Sequence, residues 1–553
     1  MADIKVNVIN YGNLQVSEGI SLLDLSKQVF GSEYKKYLGA RINNEIFNLN
    51  KSIKNGMVIR FLDNHDVDGY RIYTKTISAV FIMAVKELYK DANVSIEHFL
   101  GSGLYAELEH NRSITFSKTA EIEDKMREIV EADIQIMRID YPREEAIKLF
   151  KKEGYEDKVR LFSSIDKDRV SVYKFNGHVD SFHGYLAPST GYVKEFKLKY
   201  YYPGVLLLFP SRKNDYVMDN FKEQKKLAKV FKETNNWLDI LDLSYIGSLN
   251  EKTNSGRIGE IIAIAEALHE KKIGFIADEI CRDQDRNVIL IAGPSSSGKT
   301  TFANRLSVQL RVNGKRPILI SVDNYFIQRD KTPIGEDGTP DFEAMEAIDL
   351  ETFNMDLVKL LEGKEIELTK FNFFTGMRER TGKFIKVDQD HPIIIEGIHG
   401  LNPRLTADIP EKNKFKIYIS ALTQLNIDSH NRIATTDTRL IRRIVRDIKF
   451  RGNDILKTFD LWNGVRKGEE KYIFSFQEEA DVMFDTALVY ELAVLKKYIV
   501  PLLSTIDNSS VYYSEAKKLL RFLEYFRDIE DEEAIPPNSI LREFIGGAYF
   551  NVH

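Results

Sequence analysis

The stretch VILIAGPSSSGKTTFANRL, residues 288–306, constrains this chain more than any other. Five apolar residues in a row, four of them Val, Ile or Leu, read as a strand covered on both faces, the situation of a central strand in a parallel sheet. Gly293, Gly298, Lys299 and Thr300 then satisfy the G-x-x-x-x-G-K-[ST] pattern, and KTTFANRLSVQLRVNG continues with helical periodicity to a C-capping Gly314. A strand, a Gly-rich loop and a helix in this order aim backbone N–H groups and a helix N-terminus at one point, which suits phosphate oxygens. The loop Gly293, Pro294, Ser295, Ser296, Ser297, Gly298, with Lys299, Thr300 and Thr301, is therefore expected to hold a nucleoside triphosphate. Lys299 reaches the β- and γ-phosphates and the Thr300 hydroxyl meets Mg²⁺. From 257 to 500 strands alternate with helices, which predicts an α/β domain: a parallel sheet with helices on both faces.

Two further strands end in carboxylates. RPILISV runs into DNYF, placing Asp323 at the carboxyl end of the strand after the loop helix, where ligands bind in open α/β sheets. Asp323 is the candidate to accept the proton of an attacking hydroxyl, the alternative being a cap on the next turn. HPIIIEG ends in Glu396, expected to hold Mg²⁺ together with Thr300 unless it is a solvated strand end. The stretch TTDTRLIRRIVRDIKFRGND, 435–454, carries Arg439, Arg442, Arg443 and Arg446 on about two helical turns. Such guanidiniums can neutralise a transferring phosphoryl group, as a solvated basic face or an RNA contact would also present them.

The blocks GPSSSGKTT, SVDNYF, PDFEAMEAIDL, KFNFFTGMRE, IIEGIHGL and DTRLIRRIVRDIKFRG, in this order between 286 and 487, resemble the uridine kinase and phosphoribulokinase family of P-loop kinases. The resemblance implies ATP or GTP as donor, Mg²⁺, and a nucleoside 5′-hydroxyl as acceptor, with Asp323 as catalytic base and Arg443 and Arg446 as lid arginines. It implies a ribose contact at Phe342 and Glu343, and an acceptor pocket drawn from Asp323, Tyr325, Phe342, Glu343, Phe371, Phe373 and Arg443. The family's base-recognising aromatic falls on Phe371, which has no hydroxyl, and its histidine falls on Gly376. The base is thus left open, and Phe371, Phe373 and Phe374 either stack on it or are core aromatics.

The front of the chain is organised differently. Residues 1–63 follow a ββαββ order and resemble the TGS domain, a β-grasp module. Residues 68–215, an α+β segment, are similar to the second additional domain of threonyl-tRNA synthetases through AVKELYKDANVSI and GSGLYAEL. That domain's metal-type positions fall here on Lys75, Ala79, Phe182 and Leu186, so the resemblance implies a scaffold or binding module without that chemistry. His178 and His183 read as packing or surface residues. A helical linker is expected at 216–256, and a helical tail at 501–553. With 78 Lys and Arg against 83 Asp and Glu the net charge is −5, which favours a small nucleoside partner over RNA, the partner of a P-loop regulator. A sugar-phosphate acceptor is the third reading. Cys281 is the one cysteine, no apolar run approaches membrane-spanning length, and the N-terminus reads as a strand, so a cytoplasmic protein with no membrane partner is expected, a homo-oligomer being compatible with it.

Overall fold

The computed structural model describes residues 3–109, 114–210, 218, 221–283, 285–335, 338–372, 375–388 and 391–550. At the front, the strand Asp3–Val8 alternates buried and exposed side chains, so one face closes on a core. It lies between Gly12–Ser17 and Val58–Leu62 in a mixed sheet completed by Gly39–Ile42 and Glu45–Phe47, with the helix Leu22–Phe30 between the second and third strands in sequence. Helix α1 (Val67–Leu88) is buried around its circumference from Thr76 to Val85, as expected of a helix with apolar residues on all sides. A four-stranded antiparallel sheet follows, in the order 197–201, 204–208, 103–109, 93–100, with a separate three-stranded sheet at 137–142, 169–175 and 178–180.

The expected boundary near residues 63–68 does not separate two cores. One apolar cluster runs from Ile4 through Ile77 to Phe209. Nor is 216–256 a loose connection: Lys225–Ile240 places Leu227 and Val230 against the kinase-side sheet, and Ile246–Asn254 buries Ile246 and Leu249.

The second half is built on five parallel strands, β1 (Val288–Ala292), β2 (Ile318–Ser321), β3 (Ile393–Glu396), β4 (Lys414–Ser420) and β5 (Val482–Asp485), in the spatial order β2-β3-β1-β4-β5. The period-2 alternation divides β1 between two cores: Ile289 and Ile291 face one layer, Val288 and Leu290 the other. Helix α2 (Lys299–Val312) and the helix Ile258–Arg282 cover the first face, and Leu350–Leu361 covers the second. Helices α3 (Thr435–Phe450) and α4 (Ile455–Tyr472) close over the carboxyl end of β1. Residues 501–550 of the expected tail are no appendage. A helix spans Glu491–Leu503 across its start, and Ile540, Leu541 and Phe544 are fully buried. Among the described residues no helix is long and apolar enough to cross a membrane.

Candidate active site

The loop between β1 and α2 is held by glycine at two points where nothing larger fits. Gly298 has φ +82°, and a Cβ there would lie 2.6 Å from Ile540 Cγ2; at Gly293 it would lie 2.2 Å from the Ile419 carbonyl. From beneath, two buried arginines of α3 brace the loop. Arg439 donates to the Ser295 carbonyl (3.2 Å) and pairs with Glu469 of α4, which also accepts from the Ser295 N–H at 3.1 Å and from Arg466 at 2.9 Å. Arg442 donates to the Thr486 carbonyl (3.0 Å) and pairs with Glu491 through Nε at 3.1 Å. Thr486 Oγ1 in turn donates to the Ser297 carbonyl at 2.5 Å. Lys299 Nζ lies across the loop, donating to the carbonyls of Gly293 (3.0 Å) and Pro294 (3.3 Å).

Three carboxylates gather beside Lys299. Because β2 and β3 are neighbours in register, Ser321 opposite Glu396, the residues that leave their carboxyl ends share one crevice. Burial pushes the Glu396 carboxyl up to about 7, the charge of Asp323 adds to this, and Lys299 opposes it. Glu343 is likewise pushed up to about 7, by burial first and then by Glu469 and Asp323, against Arg443 and Lys299. Its Oε2 is buried without a hydrogen-bond partner. Gly468 on α4 permits this placement, since a Cβ there would sit 2.3 Å from Glu343 Cβ. Both folded-state values lie above those of the unfolded chain, so the associated stability is present below about pH 4.5 and lost as pH rises through about 7. Glu343→Gln, which cannot ionise, is expected to flatten the fall in melting temperature between pH 5 and pH 8; an unchanged pH profile in calorimetry would contradict this.

Of the arginines singled out in the sequence, Arg443 reaches the loop, donating to Ser295 Oγ at 2.7 Å, and Arg446 is buried against Asp447 at 2.9 Å. Arg439 does not join them as a mobile cation; it is spent on Glu469. Thr300 opens α2, while Thr301 is a correction. Its N–H (3.3 Å) and hydroxyl (2.7 Å) both donate to Glu543 of the tail, so its side chain is not presented to a phosphate. Tyr325 is a second correction: it is buried, its hydroxyl donates to Asp356 at 3.2 Å, and its ring packs edge-on to Phe353, because the 3-10 turn after β2 points it into the core beneath the crevice. Tyr325→Phe is therefore expected to cost about 1 kcal/mol of stability and leave the acceptor KM unchanged, as thermal melting and steady-state kinetics would read. Phe371 is also buried, edge-on to Phe326, which makes it a packing aromatic. Phe342 is 41% exposed beside Glu343. Phe373 and Phe374 lie outside the described residues. At Gly376 the chain has φ +71° and a Cβ would meet Arg329 Cβ at 2.8 Å, so Arg329 covers the place where the resembled family has its histidine.

Sequence reasoning missed Glu469, Glu491, Glu543 and His399. The first three are single carboxylates on helices, and only their buried arginine or threonine partners, tens to hundreds of residues away, distinguish them from surface charges. His399 stood in IIEGIHGL without a role; it is buried beside the Glu343–Ala344 backbone, and burial pushes it down to about 4, so the ring is neutral.

As for a metal, Thr300 Oγ1 and the Glu396 carboxylate are hard oxygen donors at the loop's mouth, the donor set that suits Mg²⁺ once phosphate oxygens complete it.

Residues 288–492 match the family described as Phosphoribulokinase / Uridine kinase family. The N-terminal region is similar to threonine–tRNA ligases. That of Clostridium kluyveri is 32% identical over 196 residues, 35% of this chain and 31% of the ligase. That of Clostridium tetani is 34% identical over 186 residues, 34% of this chain and 29% of the ligase. The chain thus spans under a third of the length of these curated relatives. A solved structure described as a possible uridine kinase from Bacillus stearothermophilus aligns at 23% identity and a TM-score of 0.26, covering 39% of this chain and 98% of its own. Residues 288–492 are accordingly a P-loop kinase-family domain fused behind a ligase-like front.

Proposed function

We propose that this protein is an ATP- and Mg²⁺-dependent kinase that transfers the γ-phosphoryl group to the 5′-hydroxyl of a nucleoside. The observation that carries the reading is the meeting of Asp323, Glu343 and Glu396 around Lys299 at the mouth of a phosphate loop. Lys299 and the loop amides bind the triphosphate, and Thr300 with Glu396 would hold the metal, which supplies charge neutralisation between the phosphates. Asp323 accepts the proton of the attacking hydroxyl. Glu343, with a free carboxylate oxygen, accepts hydrogen bonds from the ribose hydroxyls, and Phe342 packs against the sugar. Arg443, already against the loop at Ser295, stabilises charge on the transferring group, with Arg446 beside it.

The test is ADP release by the purified protein with ATP and Mg²⁺ against the common ribo- and deoxyribonucleosides and a set of sugar phosphates. Stimulation by nucleosides supports the reading; stimulation by a sugar phosphate alone replaces it with a phosphoribulokinase-type acceptor. The ligase-like front favours a second reading, an RNA- or ribosome-associated NTPase regulator. ATP turnover indifferent to every acceptor, together with tRNA binding at physiological salt, would select it.

A further inference from the structure

The front domain and the kinase domain enclose a second cavity, away from the phosphate loop. The kinase segment 426–434 plugs into the front half: buried Lys158 meets Asp428 (2.8 Å) and Asp180 (3.2 Å), and His430 Nδ1 meets Asp180 at 2.7 Å. Beside this seam lies a cavity of about 550 Å³, walled by α1, the 181–185 turn, the 427–437 segment and the tail helix Tyr513–Leu523 with the turn after it.

Its charges are unevenly matched. Arg71, Arg138, Lys167, Lys517, Lys518 and Arg521 on its wall each have a carboxylate within ion-pair distance. Among the described residues Lys75 and Arg432 have none. The Arg432 Nε is buried without a hydrogen-bond partner, and its guanidinium lies 5.1 Å from the Phe99 ring centre. Burial and the nearby Arg432 charge push the Lys75 ammonium down to about 8, so it remains largely charged at neutral pH. Both side chains are half-buried on the wall, Asp428 and Asp437 only partly offset the Lys75 charge and Asp437 and Glu97 that of Arg432, so an anion entering between the two cations would relieve both. Phe99, Phe162, Phe182, Phe522 and Tyr525 give the wall an aromatic face, beside carboxylates that the paired cations engage. His183, expected in the sequence to be a packing or surface residue, lines the cavity beside Tyr525, and burial keeps it neutral. The space far exceeds a lone inorganic anion and falls in the range of organic ligand sites, roughly 300–1,000 Å³.

We infer that this cavity binds a phosphate-bearing organic anion of nucleotide or sugar-phosphate size, its phosphate between Lys75 and Arg432 and its ring against the aromatic wall. The site is separate from the phosphate loop, although Asp437 on its wall belongs to α3, whose Arg439 and Arg442 hold the loop from below.

Equilibrium dialysis of the full chain tests this without requiring catalysis. The probes are AMP, UMP, ribose 5-phosphate and inorganic phosphate, used with wild type, Lys299→Ala, Lys75→Met and Arg432→Met. At least one organic phosphate is expected to bind Lys299→Ala as tightly as wild type, and to bind Lys75→Met and Arg432→Met at least about tenfold more weakly. Lys75→Arg, which keeps the charge, should retain most of the affinity, and unchanged binding of a non-hydrolysable ATP analogue by both Met variants shows that they are folded. Absence of binding by every organic probe, binding that persists in both Met variants, or binding of inorganic phosphate alone would overturn the assignment.

Discussion

Asp323→Asn is expected to lower kcat for acceptor phosphorylation by about 10²–10⁴ while ATP affinity stays within a few-fold of wild type. The substitution keeps the size of the side chain in the 3-10 turn after β2, so the crevice retains its shape. What disappears is an oxygen able to take the acceptor's proton as the phosphoryl group moves. The loop amides, Lys299 and Thr300 are untouched, and one negative charge fewer beside Glu396 and Glu343 does not oppose binding of a triphosphate. Acceptor-dependent ADP release and analogue binding, measured on the same preparation, separate the two effects. A variant that keeps more than about a tenth of wild-type kcat would remove Asp323 from the role of base.

Breaking the Arg439–Glu469 pair is expected to give the largest loss of stability of any single substitution near the loop. Both side chains are withdrawn from solvent, with Arg439 1% and Glu469 0% exposed. Glu469→Ala leaves the Arg439 guanidinium buried without its carboxylate, takes a partner from Arg466 and releases the Ser295 N–H, for which a cost of about 3–5 kcal/mol is typical. Arg439→Met/Glu469→Leu, which removes both charges and fills the space, should recover much of that loss. Calorimetry reads the first effect. ATP-analogue binding reads a second, because Ser295 is held through both its N–H and its carbonyl. A drop in melting temperature no larger in Glu469→Ala than in the double variant would show that the pair does not carry the loop.

The loop and the ends of β2 and β3 were legible for one reason. β1 and β3 are uninterrupted apolar runs and β2 is one broken by Ser321, and such a run ending in Gly293, Asp323 or Glu396 announces a parallel strand whose end meets the crevice. Tyr325 and Phe371 misled because their spacing places them near the crevice but does not tell which way a side chain turns. That depends on Asp356 and Phe326, which no local pattern links to them. The arginine helix was half legible: the periodicity puts Arg439, Arg443 and Arg446 on one side, but the carboxylates that divide them between bracing and lining, Glu469 and Asp447, sit on different turns of different helices.

By itself the sequence determined a phosphate loop between a parallel strand and a helix and carboxylates at the ends of two further strands, and resemblance added a ligase-like front ahead of a kinase-like domain. The loop and the strand ends are local properties, set by backbone preference, hydrophobic period and the positions of glycine. Only the tertiary structure decided that the two front segments share one core, that Glu543 of the tail occupies Thr301, and that Lys75 and Arg432 face each other's charge across an inter-domain cavity. Such pairings join residues hundreds of positions apart, and whether a charge is matched or stranded is defined only by what folding brings to within a few ångströms of it.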